Sequence, residues 1–135
     1  MDFEGGWRLD RRIEDRKTGL TGRLEGRAVW VPDQDRLQLT ETGTLRYGDG
    51  APLQAERRYL WRRQAGGIAV MFDDSRPFHW FSGDQTVARH ECPPDQYHVR
   101  YDFHLWPDWR AIWTVTGPRK DYEMISRYRR LTDLP

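Results

Sequence analysis

Residues 97–105 read Tyr-His-Val-Arg-Tyr-Asp-Phe-His-Leu, and their pattern gives the clearest indication of the fold class. Its odd-numbered positions are aromatic or aliphatic, whereas its even-numbered positions are polar or charged. Because successive side chains of a strand point to opposite faces, this period of two predicts a β-strand with one apolar and one hydrated face. We therefore expect the odd-numbered side chains to face the protein core; these are Tyr97, Val99, Tyr101, Phe103 and Leu105.

The same alternation continues in both directions along the chain, and no segment of useful length has the period of a helix. Short turns rich in Gly, Pro and Asp separate the alternating segments. The pattern predicts nine or ten strands, with an aromatic run at 77–81 whose facing it does not fix. The other predicted strands are 5–13, 21–31, 36–46, 54–63, 68–73, 86–92, 97–105, 109–116 and 120–130.

Strands joined by short turns pair in antiparallel fashion along a meander. An open sheet of this width would leave one apolar face bare and two edges unpaired, and closure into a barrel removes both problems. The sequence therefore predicts an all-β fold, an antiparallel up-and-down β-barrel of about 8–10 strands. We expect a single domain over residues 1–135, and a two-sheet sandwich is the alternative.

The charge balance limits the classes of partner. Lys and Arg total 22 against 21 Asp and Glu, so the net charge is +1. This balance gives neither the basic surface typical of nucleic-acid binding nor a polybasic membrane patch. The single cysteine, Cys92, forms no internal disulfide, and the N-terminus lacks the apolar segment of a signal peptide. We expect a cytoplasmic protein with no nucleic-acid or membrane partner.

The predicted inner face contains ions. Arg11 falls among Trp7, Leu9 and Ile13, and Glu41 interrupts another apolar face. A charge among apolar neighbours is costly unless it is paired or used. Phenols and ions together are more typical of a pocket with convergent polar groups than of a packed core. The candidate ligand-binding residues are Arg11, Glu41, Arg57, Tyr59, Trp61, His79, His90, Tyr97, Tyr101, Trp113, Lys120, Tyr122 and Tyr128.

Arg57 is the expected anchor, because a guanidinium binds a carboxylate or phosphate through a two-pronged contact. Tyr59 and Tyr97 would donate further hydrogen bonds, and Trp61 and Trp113 would offer flat walls. This set predicts a small anionic or partly aromatic metabolite held in the barrel interior. In the alternative interpretation Arg57 or Arg11 forms an internal ion pair with Glu41. The chain is then a packed structural or interaction module with no pocket.

Gly5-x-Trp7 at the start of the first strand resembles the G-x-W signature of lipocalin and calycin barrels. The resemblance implies that Trp7 lies across one barrel end and meets an arginine of the last strand, here Arg130 or its neighbours Arg127 and Arg129. The C-terminal helix and the disulfides of secreted lipocalins are absent from this sequence.

The whole chain also resembles a bacterial family known only as domain of unknown function 6314. That resemblance implies no activity, because the family is uncharacterised. The stretches that carry it are Phe3-x-Gly5-x-Trp7-x-Leu9-x-Arg11-x-Ile13, Arg57-x-Tyr59-x-Trp61, Phe78-His79, His90-x-Cys92-x-x-Asp95-x-Tyr97-x-x-x-Tyr101-x-Phe103 and Gly117-Pro118-x-Lys120-Asp121-Tyr122.

An enzymatic alternative uses the same cavity. Arg, Glu and Tyr inside a small barrel are similar to the arrangement of the phenolic acid decarboxylases, which are also lipocalin-like. Arg57 and Tyr59 would position a small carboxylate for a lyase or isomerase, while Glu41 or His90 handles a proton. The residues favour binding over catalysis, because this likeness is one of residue type and fold alone.

Cofactors are not expected. His90 and Cys92 share a strand face and His79 is near in sequence, but zinc sites use three or four ligands. We predict no metal site, and we expect Cys92 to be buried. A haem on His79 or His90, as in the nitrobindin barrels, is the remaining cofactor option. A second copy of the chain, forming a homodimer, is the remaining protein partner.

Overall fold

The computed structural model describes residues 1–131, and within that range the chain forms ten strands and no helix that could span a membrane. The strands are β1 (Gly5–Asp15), β2 (Thr21–Asp33), β3 (Arg36–Tyr47), β4 (Leu53–Gln64), β5 (Gly67–Phe72), β6 (Pro77–Phe81), β7 (Val87–Cys92), β8 (Asp95–Asp102), β9 (Trp109–Thr116) and β10 (Asp121–Arg130).

All ten strands belong to one sheet with the order β6-β5-β4-β3-β2-β1-β10-β9-β8-β7, and every neighbouring pair is antiparallel. The first strand pairs with the last, which closes the meander into a nearly complete barrel. Within residues 1–131, β6 and β7 are the two ends of the sheet, and they face each other without a ladder. We call the line between them the seam. The predicted all-β, antiparallel up-and-down barrel is confirmed.

A pair of glycines allows β2 and β3 to approach each other closely. Gly26 lies opposite Gly43 in the register of these strands. A Cβ added to Gly26 would lie 1.9 Å from the carbonyl oxygen of Thr42, closer than any real contact. Only glycine fits there, as is typical of a site where a second backbone comes close.

One end of the barrel is sealed by aromatic rings. Phe3 crosses this end, and its ring centroid lies 5.0 Å from that of Trp61 and 5.4 Å from that of Trp109. The Arg130 guanidinium lies 3.9 Å from the centre of the Trp7 ring, which confirms the expected cation over the indole. Arg130 also donates hydrogen bonds to backbone carbonyls of the N-terminal segment, which fastens that segment across the barrel.

The aromatic run at 77–81 faces inward at two consecutive positions. The pairing of β5 with β6 shifts register by one residue, so that Val70 lies opposite His79 while Met71 lies opposite Pro77. The bulge leaves Phe78 unpaired, and both Phe78 and His79 therefore reach the interior. Period-two reasoning could not give this result.

The predicted burial of two residues, Leu105 and Cys92, was wrong. The strand predicted at 97–105 ends at Asp102, and Leu105 is 65% exposed instead of buried. The Asp102 carboxylate accepts a hydrogen bond from the backbone N–H of His104, and the chain turns out of the sheet there. Cys92 is exposed as well, because it is the last residue of β7 at the barrel rim.

Candidate ligand-binding site

A buried carboxylate lies at the centre of the barrel. Glu41, in the middle of β3, is 3% exposed. Its Oε1 accepts hydrogen bonds from Arg11 Nη2 at 2.9 Å and from Arg57 Nε and Nη2 at 3.0 and 2.9 Å. Its Oε2 accepts a hydrogen bond from the Tyr128 hydroxyl group. Arg11 Nε also donates to Ser126 Oγ at 2.7 Å. We call Arg11, Glu41, Arg57, Ser126 and Tyr128 the central cluster.

The strand register explains how these residues meet. Arg57 lies directly opposite Glu41 in the pairing of β3 with β4. Arg11 lies on β1, and β2 separates that strand from β3. The inward residues of β2 nearest this crossing are Gly26 and Ala28, so the long Arg11 side chain passes over β2 to reach Glu41.

The electrostatics of the cluster keep Glu41 ionised. Burial by itself raises the pKa of its carboxyl group. The charges of Arg11 and Arg57 and the hydrogen bond from Tyr128 outweigh that effect and lower the pKa to about 2. Burial, together with the negative charge of Glu41, raises the pKa of Tyr128 well above its ordinary value, so this phenol stays protonated. Glu41 is therefore an anion whose two oxygens are both occupied.

The cluster carries one positive charge in excess, because two guanidinium groups share one carboxylate. The neighbouring titratable groups do not compensate for it. Burial raises the pKa of Tyr59 and of Tyr101, and burial also lowers the pKa of His79 to about 3. All three side chains are thus neutral at physiological pH. The excess charge lies inside the barrel without a counter-ion among residues 1–131.

The barrel end opposite Phe3 is lined by one buried ring, Trp113, and by four half-buried side chains. We call this end the mouth, and the half-buried residues are Arg57, Tyr59, Tyr97 and Tyr122. The Arg57 Cζ lies 4.6 Å from the centre of the Trp113 ring and 5.3 Å from that of Tyr59. Its side chain remains 27% exposed, although it bonds Glu41. Arg57 Nη1 has no hydrogen-bond partner within residues 1–131. The mouth thus presents one cation among aromatic rings.

Phe78 lies on β6, at the seam, and its ring packs against residues of the mouth. Its ring centroid lies 5.3 Å from those of Trp113 and His90 and 5.5 Å from that of Tyr97. His90 therefore lies at the edge of the mouth, packed against Phe78, and not over Arg57. Sequence reasoning missed Phe78, because the bulge in β6 leaves no signal in the alternation.

A small cavity lies between the mouth and the sealed end. Its volume is about 20 Å³. That is enough for one water molecule, which needs roughly 10–15 Å³. The cavity is lined by Leu39, Glu41, Arg57, Tyr59, Trp61, Val70, His79, Tyr101, Trp109, Ala111, Trp113 and Tyr128.

The structure therefore divides the predicted site residues into groups. Arg11, Glu41, Arg57 and Tyr128 form the central cluster, and Tyr59, Tyr97, Trp113 and Tyr122 surround Arg57 at the mouth. Trp61, His79 and Tyr101 line the cavity. Lys120 lies apart from all of these, because it precedes β10 and its exposed ammonium group pairs with Asp95 at 3.1 Å.

His79 and His90 are both packed among aromatic side chains. Residues 1–131 contain no group of three or more metal-ligating side chains. His79 Nε2 lies 2.7 Å from the Tyr101 hydroxyl, and this histidine faces the cavity of about 20 Å³. A haem does not fit in that space. His90 is packed against Phe72 and Phe78, whose ring centroids lie 6.0 and 5.3 Å away.

The fold and the site together define a class of protein: an antiparallel β-barrel, closed by aromatic rings at one end, with a buried Arg–Glu–Arg cluster beneath an aromatic mouth. The chain belongs to a family of unknown function, DUF6314, whose model matches residues 3–130. The family resemblance seen in the sequence is thus confirmed. No curated protein matches the chain.

Proposed function

We propose that this barrel binds a small organic anion at the mouth, with Arg57 as the anchoring cation. The observation that carries the proposal is the excess positive charge of the central cluster, combined with the partly exposed side chain of Arg57, whose Nη1 is unpaired within residues 1–131. A guanidinium in apolar surroundings binds anions strongly, because water competes less for its donors. A bound anion would neutralise the cluster.

The walls of the mouth support a ligand that is partly aromatic. Trp113 and Tyr59 flank Arg57, and Tyr97 lies at an edge-on angle to Trp113 with a centroid distance of 6.3 Å. Aromatic side chains favour planar partners in stacked or edge-on arrangements. Because the interior cavity holds about one water molecule, we place the body of the ligand at the mouth rather than deep in the barrel.

The same geometry argues against the lyase or isomerase alternative. A general acid or base must be free to exchange a proton with the substrate. Both oxygens of Glu41 are engaged by protein donors, and its pKa of about 2 keeps it ionised. Glu41 therefore holds Arg57 in place, and the proposal assigns it no proton-transfer role.

The test is calorimetric titration with a panel of small carboxylates, sulfonates and phosphates, with benzoate as the first probe. Arg57→Gln should weaken benzoate binding by about 10- to 100-fold, since hydrogen bonds to charged groups contribute about 1.5–3 kcal/mol. Arg58→Gln is the matched control, because Arg58 is the next residue of β4 but lies on the outer face and bonds Glu56. A wild type that binds nothing in the panel, or an Arg57→Gln variant that binds like wild type, would refute the proposal.

A packed module without a ligand is the second candidate, and the small cavity volume favours it. In that case Arg57 is only the second partner of a buried ion pair, and Arg57→Gln changes stability alone. The same titration separates the two candidates.

Kinship and location are also part of the proposal. We propose a bacterial, calycin-like barrel of the cytoplasm. Gly5-x-Trp7 with Arg130 stacked on the indole supports the calycin relation. The single exposed cysteine supports a reducing compartment.

A further inference from the structure

We infer that the anionic head of the ligand is a carboxylate, and that one of its oxygens enters the cavity beneath Arg57. This inference rests on the proposed function and names the chemical class of its ligand. Three observations on the cavity carry it: its size, the unpaired ring nitrogens of two residues that line it and the charge of the cluster beside it.

The size of the cavity selects the head group. A volume of about 20 Å³ is on the scale of a single water-sized group. A carboxylate is planar and can insert a single oxygen edge-on, while its second oxygen stays beside Arg57. A phosphate or sulfonate group is tetrahedral, so its other oxygens spread outward directly behind the oxygen that enters the cavity. The other oxygens would then press on Tyr59 and Trp113, which also line the cavity.

Two residues that line the same cavity, Trp109 and His79, each carry a buried ring nitrogen without a hydrogen-bond partner in residues 1–131. Trp109 is 2% exposed, and its indole Nε1 has no partner within residues 1–131. His79 Nδ1 is likewise buried without a partner in that range. When the Tyr101 hydroxyl donates to His79 Nε2, the ring proton lies on Nδ1 and becomes a second donor. Buried indole N–H groups usually find an acceptor, and an oxygen in this cavity would be one.

The single excess charge of the central cluster favours a ligand with a single negative charge. One positive charge in excess is neutralised by one carboxylate. A phosphate monoester carries about −1.5 to −2 charges at neutral pH. It would leave a net negative charge in apolar surroundings, which is costly. Size and charge therefore point to the same head group.

The experiment compares two ligands with the same aromatic ring, benzoate and phenyl phosphate, by calorimetric titration at pH 7. We expect wild type to bind benzoate at least tenfold more tightly. Ala111→Val places two methyl groups in the cavity, because Ala111 is buried and lines it. This variant should lose at least tenfold in benzoate affinity and leave phenyl phosphate binding unchanged.

Trp109→Phe provides a second variant, which removes the indole donor and keeps an aromatic ring. It should also weaken benzoate more than phenyl phosphate, and circular dichroism in the aromatic region checks that each variant is folded. If both ligands bind wild type equally, or if Ala111→Val binds benzoate normally, the carboxylate inference is overturned and anion binding at Arg57 remains. If neither ligand nor any other anion of the panel binds, the proposed function itself falls.

Discussion

Replacement of Glu41 by Gln should destabilise this barrel more than any surface charge substitution. Gln keeps the shape of the side chain but removes the one negative charge that Arg11 and Arg57 share. The variant leaves two buried guanidinium groups without a counter-ion. Their mutual repulsion and their lost hydration both oppose folding.

The magnitude of the loss in unfolding free energy follows from the buried ion pairs and, consistently, from the lowered pKa of Glu41. Removal of one partner of a buried ion pair costs about 3–5 kcal/mol in the free energy of unfolding. The shift of the Glu41 pKa from its ordinary 4.5 to about 2 gives a stabilisation of about 3 kcal/mol at neutral pH by linkage. We therefore expect a loss of about 3–5 kcal/mol for Glu41→Gln.

The assay is urea unfolding followed by tryptophan fluorescence, for which the chain has seven indoles. Glu25→Gln on the neighbouring strand is the control, since that exposed side chain should change stability by about 0.5 kcal/mol or less. Adding Arg11→Met to Glu41→Gln should recover part of the loss, because it removes one unpaired cation. A loss below about 1 kcal/mol for Glu41→Gln would refute the charge argument.

Three further predictions concern the rest of the fold. Burial lowers the pKa of His79 in the folded chain from 6.5 to about 3. The unfolded chain therefore binds more protons across that range, and the free energy of unfolding should fall as the pH drops from 6.5 toward 3. In His79→Gln, urea unfolding should show a shallower fall between pH 6.5 and 4.5, and an unchanged slope would contradict this reasoning. Arg130→Gln should lower the free energy of unfolding by about 1–3 kcal/mol, because it removes the contact with the Trp7 ring and the hydrogen bonds to the N-terminal carbonyls. An unchanged thermal midpoint would contradict the role of Arg130 in fastening the N-terminal segment. Gly26→Ala should fold poorly, whereas Gly83→Ala, with open space around its Cβ, should fold normally; equal yields and midpoints would contradict the close approach of β2 and β3.

Much of the fold could be predicted from the alternation of side chains, because a buried face requires apolar residues at every second position. The same parity correctly placed Arg11 and Glu41 on the inner face. It failed for Leu105, where a hydrogen bond from His104 to Asp102 turns the chain out of the sheet. Alternation reports which face a residue occupies only while the strand continues.

The details of the site needed three-dimensional information. The meeting of Arg11 with Glu41 depends on strand register and on small residues between them, which no local pattern encodes. Phe78 enters the mouth through a bulge. The volume of the cavity depends on how rings such as Trp109 and Tyr101 pack, and a sequence pattern contains no such distances.

Binding of an organic anion at the mouth is tested most directly by a crystal structure of the complex with 4-bromobenzoate, in which anomalous scattering locates the bromine. We expect one ordered bromine at the mouth beside Trp113 and Tyr59, with the carboxylate against Nη1 of Arg57. A mouth without bromine, at concentrations that saturate binding in solution, would contradict this prediction.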